Sequence, residues 1–293
     1  MSGVLAHVLW IGGPPCSGKT TVAGLLAGRH DLRGYNADVH TWEHHDKAVE
    51  RGYADATYWQ TATPDEIWLA DLDTIVAHTL EANAERSRLM LEDLEALPTS
   101  PLIVAEGTPL FPWLVADRIA DPDHAVFLVP SPAFQRARLL ERPRLTFERT
   151  SDPPRALENR MRRELEVGAL IRRDALERGF HVLDVDGSRT AHEIAGAVEK
   201  LFAATIAAGP RASSRPARRK LRRQHNLQVH RQVSSYFARV PGAGDPTSTP
   251  VPFVCECGGR GCHMPVHAPL VTASDVFNGT DRRLVAEAHR RDR

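Results

Sequence analysis

Gly13-Pro14-Pro15-Cys16-Ser17-Gly18-Lys19-Thr20 fits the pattern G-x-x-x-x-G-K-[ST] at every position. An apolar run, His7 to Ile11, precedes it. A helix-like stretch from Thr20 to Gly28 follows, with Val22, Leu25 and Leu26 at helical spacing. The glycines let backbone N–H groups turn inward around a phosphate, and the helix start adds partial positive charge. Lys19 then reaches the β- and γ-phosphates, and Thr20 offers a hydroxyl to Mg²⁺. Gly13, Pro14, Pro15, Cys16, Ser17, Gly18, Lys19, Thr20 and Thr21 are the candidates for holding a nucleotide. Cys16 reads as a small filler residue, not a nucleophile.

Outward from the loop, strand-like and helix-like segments alternate as far as residue 207. A short second strand is expected over Leu32 to Asn36, and others over Leu102 to Ala105, Ala125 to Val129 and His181 to Val185. Helices are expected from Thr63 to Leu97, Ala156 to Arg178 and Thr190 to Ala207. Thr63, Pro64 and Glu66 form a helix-start signature. Residues 41–62 read as polar, aromatic and irregular. Five strands separated by helices predict an α/β fold, a parallel sheet covered on both faces.

Ligands of open parallel sheets bind beyond the carboxyl ends of the strands. Two carboxylates stand at such ends. Asp38 follows the second strand, where it can bind or deprotonate an acceptor hydroxyl. Glu106 ends the run Leu102-Ile103-Val104-Ala105, where it can hold Mg²⁺ directly or through water. Seven arginines lie between Arg142 and Arg163. A mobile segment of this kind can neutralise a transferring phosphoryl group, and Arg160 and Arg163 are the arginines expected to do so. His40, His44 and His45 suggest a metal cluster, but polar-loop histidines more often serve substrate contacts or solvation.

The loop Gly13 to Thr20, Asp38, Ala105-Glu106-Gly107, the arginines of 142–163 and Val185-Asp186-Gly187-Ser188 together resemble the P-loop kinases of the nucleoside/nucleotide-kinase-like group. Shikimate and gluconate kinases, chloramphenicol phosphotransferase and zeta toxins belong to that group. The resemblance spans about residues 5–207. It implies ATP and Mg²⁺, a five-stranded parallel core, a helical acceptor-binding insertion over 40–97 and a lid over 142–163. It also implies adenine contacts near Asp186, Gly187 and Ser188. The expected reaction is transfer of the γ-phosphate to a hydroxyl of a small molecule.

The chain has 293 residues, 42% of them hydrophobic and 25% charged, which is ordinary for a globular protein. No apolar run is long enough for a membrane span, and Met1 to Trp10 lacks the basic flank of a signal peptide, so a cytoplasmic location is expected. The net charge of zero hides an asymmetry. Residues 211–293 carry nine more basic than acidic residues, and residues 1–210 nine fewer. This predicts a boundary near residue 208, a basic linker or frayed helix start over 208–223, a short helix from Leu227 to Val240 and a Cys-rich module over 246–293. The arginines of 211–223 either bind phosphate backbones, which leaves nucleic-acid binding open as an alternative function, or form a solvated helix docking on the acidic kinase-like domain. On the kinase reading, phosphotransfer survives removal of 208–293.

Cys255-Glu256-Cys257-Gly258-Gly259-Arg260-Gly261-Cys262 places three cysteines within eight residues. In a reducing compartment, a metal explains such spacing better than disulfides. Zn²⁺ needs a fourth ligand, for which His263, His267 and His289 are candidates. Reduced core cysteines without metal are the alternative. The segment also resembles a small actinobacterial C-terminal module of unknown role, and that resemblance points to His289.

Overall fold

A computed structural model describes residues 3–141, 147–279 and 282–290. The chain runs β1 Val8–Gly12, α1 Lys19–Arg29, β2 Arg33–Asn36, a 3₁₀ turn Ala37–His40, α2 Thr41–Glu50, α3 Ala54–Thr61, α4 Pro64–Trp68 and α5 Leu72–Ala96. It continues β3 Ile103–Glu106, α6 Pro112–Val115, β4 Ala125–Pro130, α7 Pro132–Leu140, α8 Pro153–Glu177, β5 His181–Val185, α9 Ala191–Leu201 and α10 Ala203–Ala208. The last elements are α11 Arg215–Arg239, β6 Val251–Val254, β7 Pro265–Ala268 and α12 Leu270–Asn278.

The first five strands form one parallel sheet in the order β2-β3-β1-β4-β5. β1, β3 and β4 are buried along their whole length, as near-continuous apolar strands in a doubly covered sheet should be. Side chains alternate between two cores. Trp10, Ile103, Ala105 and Phe127 pack toward α5 and α8, whereas Leu9, Ile11, Val104 and Val126 pack toward α1 and α9. No helix of the described residues is long and apolar enough to cross a membrane.

Four segments differ from their sequence reading. Residues 41–62 contain two helices, α2 and α3, instead of irregular chain. The N-terminus of α3 is capped by Glu85, whose carboxylate accepts from the backbone N–H groups of Asp55 (3.0 Å) and Ala56 (2.8 Å). The helix expected over 63–97 breaks in two. Thr63 and Glu66 do form a capping box on α4, but Asp71 starts α5 afresh by accepting from Thr74 N (2.9 Å). Asn159 holds the break by donating to the carbonyl of Trp68 (2.9 Å). The helix expected over 190–207 resets at Phe202, which is fully buried.

The fourth difference is the basic segment. Instead of a linker or frayed helix start followed by a separate short helix, it is one 25-residue helix, α11, beginning at Arg215. Ser214 caps it and Pro216 sits in its first turn. Asn226 is fully buried on α11, and its amide bonds Val254 both ways, donating to O (2.9 Å) and accepting from N (2.8 Å). The arginines are spent internally. Arg215 and Arg219 donate to the carbonyl of Cys257, Arg218 to that of Gly258, Arg222 to that of Gly259, and Arg223 to Glu256. β6 and β7 form an antiparallel hairpin that packs with α12 against Val229 of α11.

Candidate active site

The loop between β1 and α1 depends on its glycines. Gly13 has φ +132°, and a Cβ there would lie 2.1 Å from the carbonyl oxygen of Leu128. Gly18 adopts the left-handed conformation at the N-cap of α1. Lys19 follows, and its Nζ donates to the carbonyl of Pro14 (3.0 Å), seating the ammonium against the loop. Gln135 of α7 buttresses the outside, donating to the carbonyl of Pro15 (3.1 Å). The Ser17 hydroxyl is buried and has no hydrogen-bond partner among the described residues.

Sheet register brings the two carboxylates to the loop. Ile11 on β1 pairs with Glu106 on β3, and Asn36 on β2 pairs with the same Glu106. The last residue of β3 therefore lies beside the start of the loop, and the turn after β2 lies next to it. Glu106 is 2% exposed, and its Oε2 accepts from the Thr20 hydroxyl (3.1 Å). Its Oε1 has no partner among the described residues. Burial pushes its pKa up to about 8, the charge of Asp38 adds to that, and Lys19 and Thr20 oppose it. An orphaned carboxylate oxygen beside a threonine hydroxyl is a donor set that fits Mg²⁺, which takes hard oxygen ligands.

Asp38 sits on the 3₁₀ turn after β2 and accepts from both the backbone N–H and the hydroxyl of Thr108 (3.1 Å each). Arg86 of α5 stands 3.6 Å from its Oδ1. Burial raises the Asp38 pKa, but Arg86, Lys19 and the two Thr108 bonds outweigh it, so the carboxyl lies below the usual range. The turn approaches β3 closely, because a Cβ on Gly107 (φ +142°) would come within 2.7 Å of Ala37.

One cavity of about 690 Å³ joins these groups. It is lined by Pro15, Cys16, Ser17, Gly18, Lys19, Thr20 and Thr21 of the loop, by Asp38 and Thr108, and by residues of α2 to α5 and α8. Glu106 lies beneath through its bond to Thr20. Gly13 and Pro14 stand behind the cavity wall, Pro14 lying against Gly168 of α8. Asp186, Gly187 and Ser188 do not reach the cavity. Asp186 Oδ1 instead accepts from Ser188 N (2.9 Å) and its hydroxyl (2.6 Å) in a closed turn after β5.

Arg160 and Arg163 do line the cavity, but on a long helix and not on a mobile segment. Their guanidinium groups cover Phe147 (5.3 Å) and Trp68 (4.9 Å), and both face the buried carboxylate of Glu164. Of the expected lid, Arg142 and Arg144 fall outside the described residues. Arg86, Thr108 and Gln135 escaped the sequence reading, since each reaches the site from a distant element, whereas Glu164 stands at the i,i+4 spacing from Arg160 that a helix-face pairing predicts. The density of Trp42, Trp59 and Trp68 between 41 and 70 was the one visible signal of a large cavity wall.

The five-stranded parallel sheet with its β1–α1 phosphate loop settles the architecture. This is a parallel α/β fold with a P-loop sequence motif at the turn between β1 and α1. No protein-family model matches the chain, and no curated protein matches it in sequence. Among solved structures, a shikimate kinase from Acinetobacter baumannii in complex with shikimate is similar at 16% identity and TM-score 0.39, over 68% of this chain and 93% of that one. TT1252 from Thermus thermophilus is similar at 16% identity and TM-score 0.40, over 71% of this chain and 98% of that one.

A second group lies near the C-terminus. The ligand atoms of Cys255, Cys257, Cys262 and His289 all fall within 4.8 Å of one another. His289 Nδ1 is 3.5 Å from Cys255 Sγ and 3.6 Å from Cys262 Sγ. His263 instead faces the carbonyl of Gly261, and His267 is on β7; neither joins the group. Three donors point at the sulfurs: Gly259 N (3.3 Å) and Arg222 Nη1 (3.7 Å) at Cys257, and Ala286 N (3.3 Å) at Cys255. Such donors stabilise thiolates. The Cys255 thiol is accordingly pulled well down, first by the Cys262 thiol donating to it. The four residues could hold a metal ion.

His40, His44 and Asp93 form a further cluster beneath the 3₁₀ turn. A metal-bound imidazole needs its second ring N–H satisfied. Here His40 Nε2 and His44 Nδ1 are buried with no partner among the described residues. Asp93 Oδ2 is engaged by the Tyr35 hydroxyl and His44 Nε2, both at 2.9 Å, so the group serves as a hydrogen-bonded floor for the turn.

Proposed function

We propose that this chain is an ATP-dependent phosphotransferase acting on a hydroxyl of a small molecule. What carries the reading is the cavity: the phosphate-binding loop and Asp38 open into the same space. Loop N–H groups and the N-terminus of α1 cradle the phosphates, and Lys19 adds its ammonium. Thr20 and Glu106 would hold Mg²⁺, which when bound would supply charge neutralisation and orientation of the phosphates. Asp38, oriented by two hydrogen bonds from Thr108 and facing the Arg86 charge 3.6 Å away, fixes the acceptor hydroxyl through a free lone pair. Arg160 and Arg163 offset the charge developing on the transferred group. The α8 and α4 side chains around them exclude water, which strengthens every one of these interactions.

Lys19→Ala tests the assignment. ATP turnover is expected to fall about 10²–10³-fold, the usual cost of removing one preorganised charge donor, with circular dichroism unchanged. Turnover equal to that of the parent chain would refute the reading.

We also propose that Cys255, Cys257, Cys262 and His289 hold a structural zinc ion. The ligand set is closed, and a small segment with a thin core gains most from such a staple. Metal analysis of the purified chain is expected to give about one zinc, lost in His289→Ala. Less than about 0.2 zinc in the parent chain counts against it.

A further inference from the structure

Two side chains of α5 line the cavity, and each holds a buried polar atom without a partner among the described residues. Asn83 is 7% exposed, and its Nδ2 donates to the carbonyl of Thr79 (2.7 Å). A carbonyl only accepts, so the amide is fixed with Nδ2 on Thr79 and Oδ1 turned away from it. Oδ1 is the unpartnered acceptor. Arg86 stands three residues on, on the same face of the helix. Its Nη2 donates to the carbonyl of Ala37 (3.2 Å) and to the Thr41 hydroxyl (3.0 Å), 3.6 Å from Asp38 Oδ1. Its Nε is the unpartnered donor. Arg86 therefore links Asp38 to Asn83. Trp59 Nε1, on α3, is a further buried donor without a partner among the described residues, and it too asks for an oxygen.

Charge does not single out the acceptor. Arg160 and Arg163 share Glu164, so α8 brings one cation in excess. On the kinase reading that surplus belongs to the phosphates.

The unpartnered atoms are more selective. They ask for a group that donates to Asn83 Oδ1 and accepts from Arg86 Nε. A hydroxyl does both, with its one hydrogen and its lone pairs. A carboxylate or phosphate only accepts, and it sets its charge against Asn83 Oδ1 and the Asp38 carboxylate. An ammonium only donates, and it meets the Arg86 cation. A primary carboxamide does both but leaves one N–H over. Nε lies next to Nη2 on the planar guanidinium, and neighbouring donors of that kind match neighbouring oxygens on a ligand.

Resting on the kinase reading, we infer that the acceptor is a vicinal diol. One hydroxyl lies at Asp38 and receives the phosphate. Its neighbour is held between Asn83 Oδ1 and Arg86 Nε, which makes Asn83 and Arg86 specificity-determining residues.

The test uses the full chain, a non-hydrolysable ATP analogue and five probes. These are cyclohexanol, cis-1,2-cyclohexanediol, and the analogues whose second hydroxyl is replaced by an amine, a carboxylate or a carboxamide. Calorimetry is expected to show the diol binding at least about tenfold tighter than cyclohexanol, and tighter than each analogue. Asn83→Leu is expected to bring the diol to within about threefold of cyclohexanol, and a thermal melt checks that the variant folds. Should it not fold, the probe series on the parent chain decides. Cyclohexanol matching the diol, another analogue binding tightest, or no saturable binding of any probe overturns the inference. So does an unchanged diol preference in folded Asn83→Leu, which would assign the two atoms to a buried water. Phosphate transfer from ATP is followed on the same preparation. Transfer without diol preference defeats the acceptor class and leaves the kinase reading standing. Diol preference lost in Asn83→Leu, with no phosphate ever moving to any hydroxyl, defeats the kinase reading and leaves the binding assignment standing.

Discussion

Asp38→Asn is expected to bind Mg-ATP as tightly as the parent chain and to lose about 10²–10⁴ of its phosphotransfer rate. The reason lies in what an amide cannot do at this place. The Asp38 carboxyl is held ionised by Arg86, Lys19 and two bonds from Thr108, so it presents lone pairs and no proton. A carboxyl with a lowered pKa is a weak base. On the proposed function it would therefore act chiefly by fixing the acceptor oxygen in line with the phosphate, where geometry and charge make up most of the barrier. Asparagine has the same shape, but half of its acceptor capacity becomes a donor. That donor competes with the Thr108 hydroxyl and turns the acceptor oxygen away, and Arg86 loses its counter-charge. Nucleotide titration and single-turnover transfer, measured on one preparation, separate the two effects. A transfer rate within about threefold of the parent would remove Asp38 from the chemistry. A fall in ATP affinity matching the fall in rate would move it to nucleotide binding.

Much of this site can be read from the sequence because its signals are local. The loop declares itself within eight residues, and its strand and helix flank it directly. Asp38 and Glu106 stand at strand ends, and a parallel sheet gathers strand ends by topology alone. What escaped the sequence is made by polar side chains acting over long separations. Glu85 caps a helix 29 residues earlier in the chain, and nothing in a glutamate at mid-helix announces that use. Asn226 pairs with a strand 28 residues later as if it were backbone. By composition the arginine run is a solvated linker, a frayed helix start or a solvated helix docked on the acidic half of the chain. It is a docked helix. What composition did not show is that its planar, many-donor groups satisfy the orphaned carbonyls of the cysteine loop. Composition reports how much charge a segment carries, not whether the fold spends it inside.

That packing changes what truncation should do. A boundary near residue 208 implies that the remainder works alone, whereas the packing of α11 predicts the opposite. α11 lies along β2, the edge of the sheet, and under the turn that carries Asp38. Val39 of that turn packs into the apolar cluster of Val229 and Phe253. Further along, Gln232 accepts from Trp42 N (3.1 Å), and Arg239 clamps Asp46 through two bonds of 2.6 Å while covering the Trp42 ring. Both contacts hold α2, whose Trp42 faces the cavity. At the other end, Arg218 and Arg222 stand 3.8 and 3.6 Å from the nearly buried Asp31. A chain ending at residue 207 loses both cations of Asp31 and the apolar cover over Val39, a few kcal/mol of packing by area, and at about 2–4 °C per kcal/mol its melting temperature should fall by roughly 10 °C. Phosphotransfer should fall below detection. Because the truncated chain can fail simply by unfolding, Gln232→Ala/Arg239→Ala supplies the finer measurement. These residues touch neither nucleotide loop nor Asp38, and their contacts are surface ones worth about 1 kcal/mol or less each. The double variant is expected to stay folded, keep its affinity for ATP and raise the acceptor KM several-fold, since α2 is freed while the loop is not. A truncated chain that transfers phosphate with an unchanged acceptor KM would show that α11 merely covers the sheet edge.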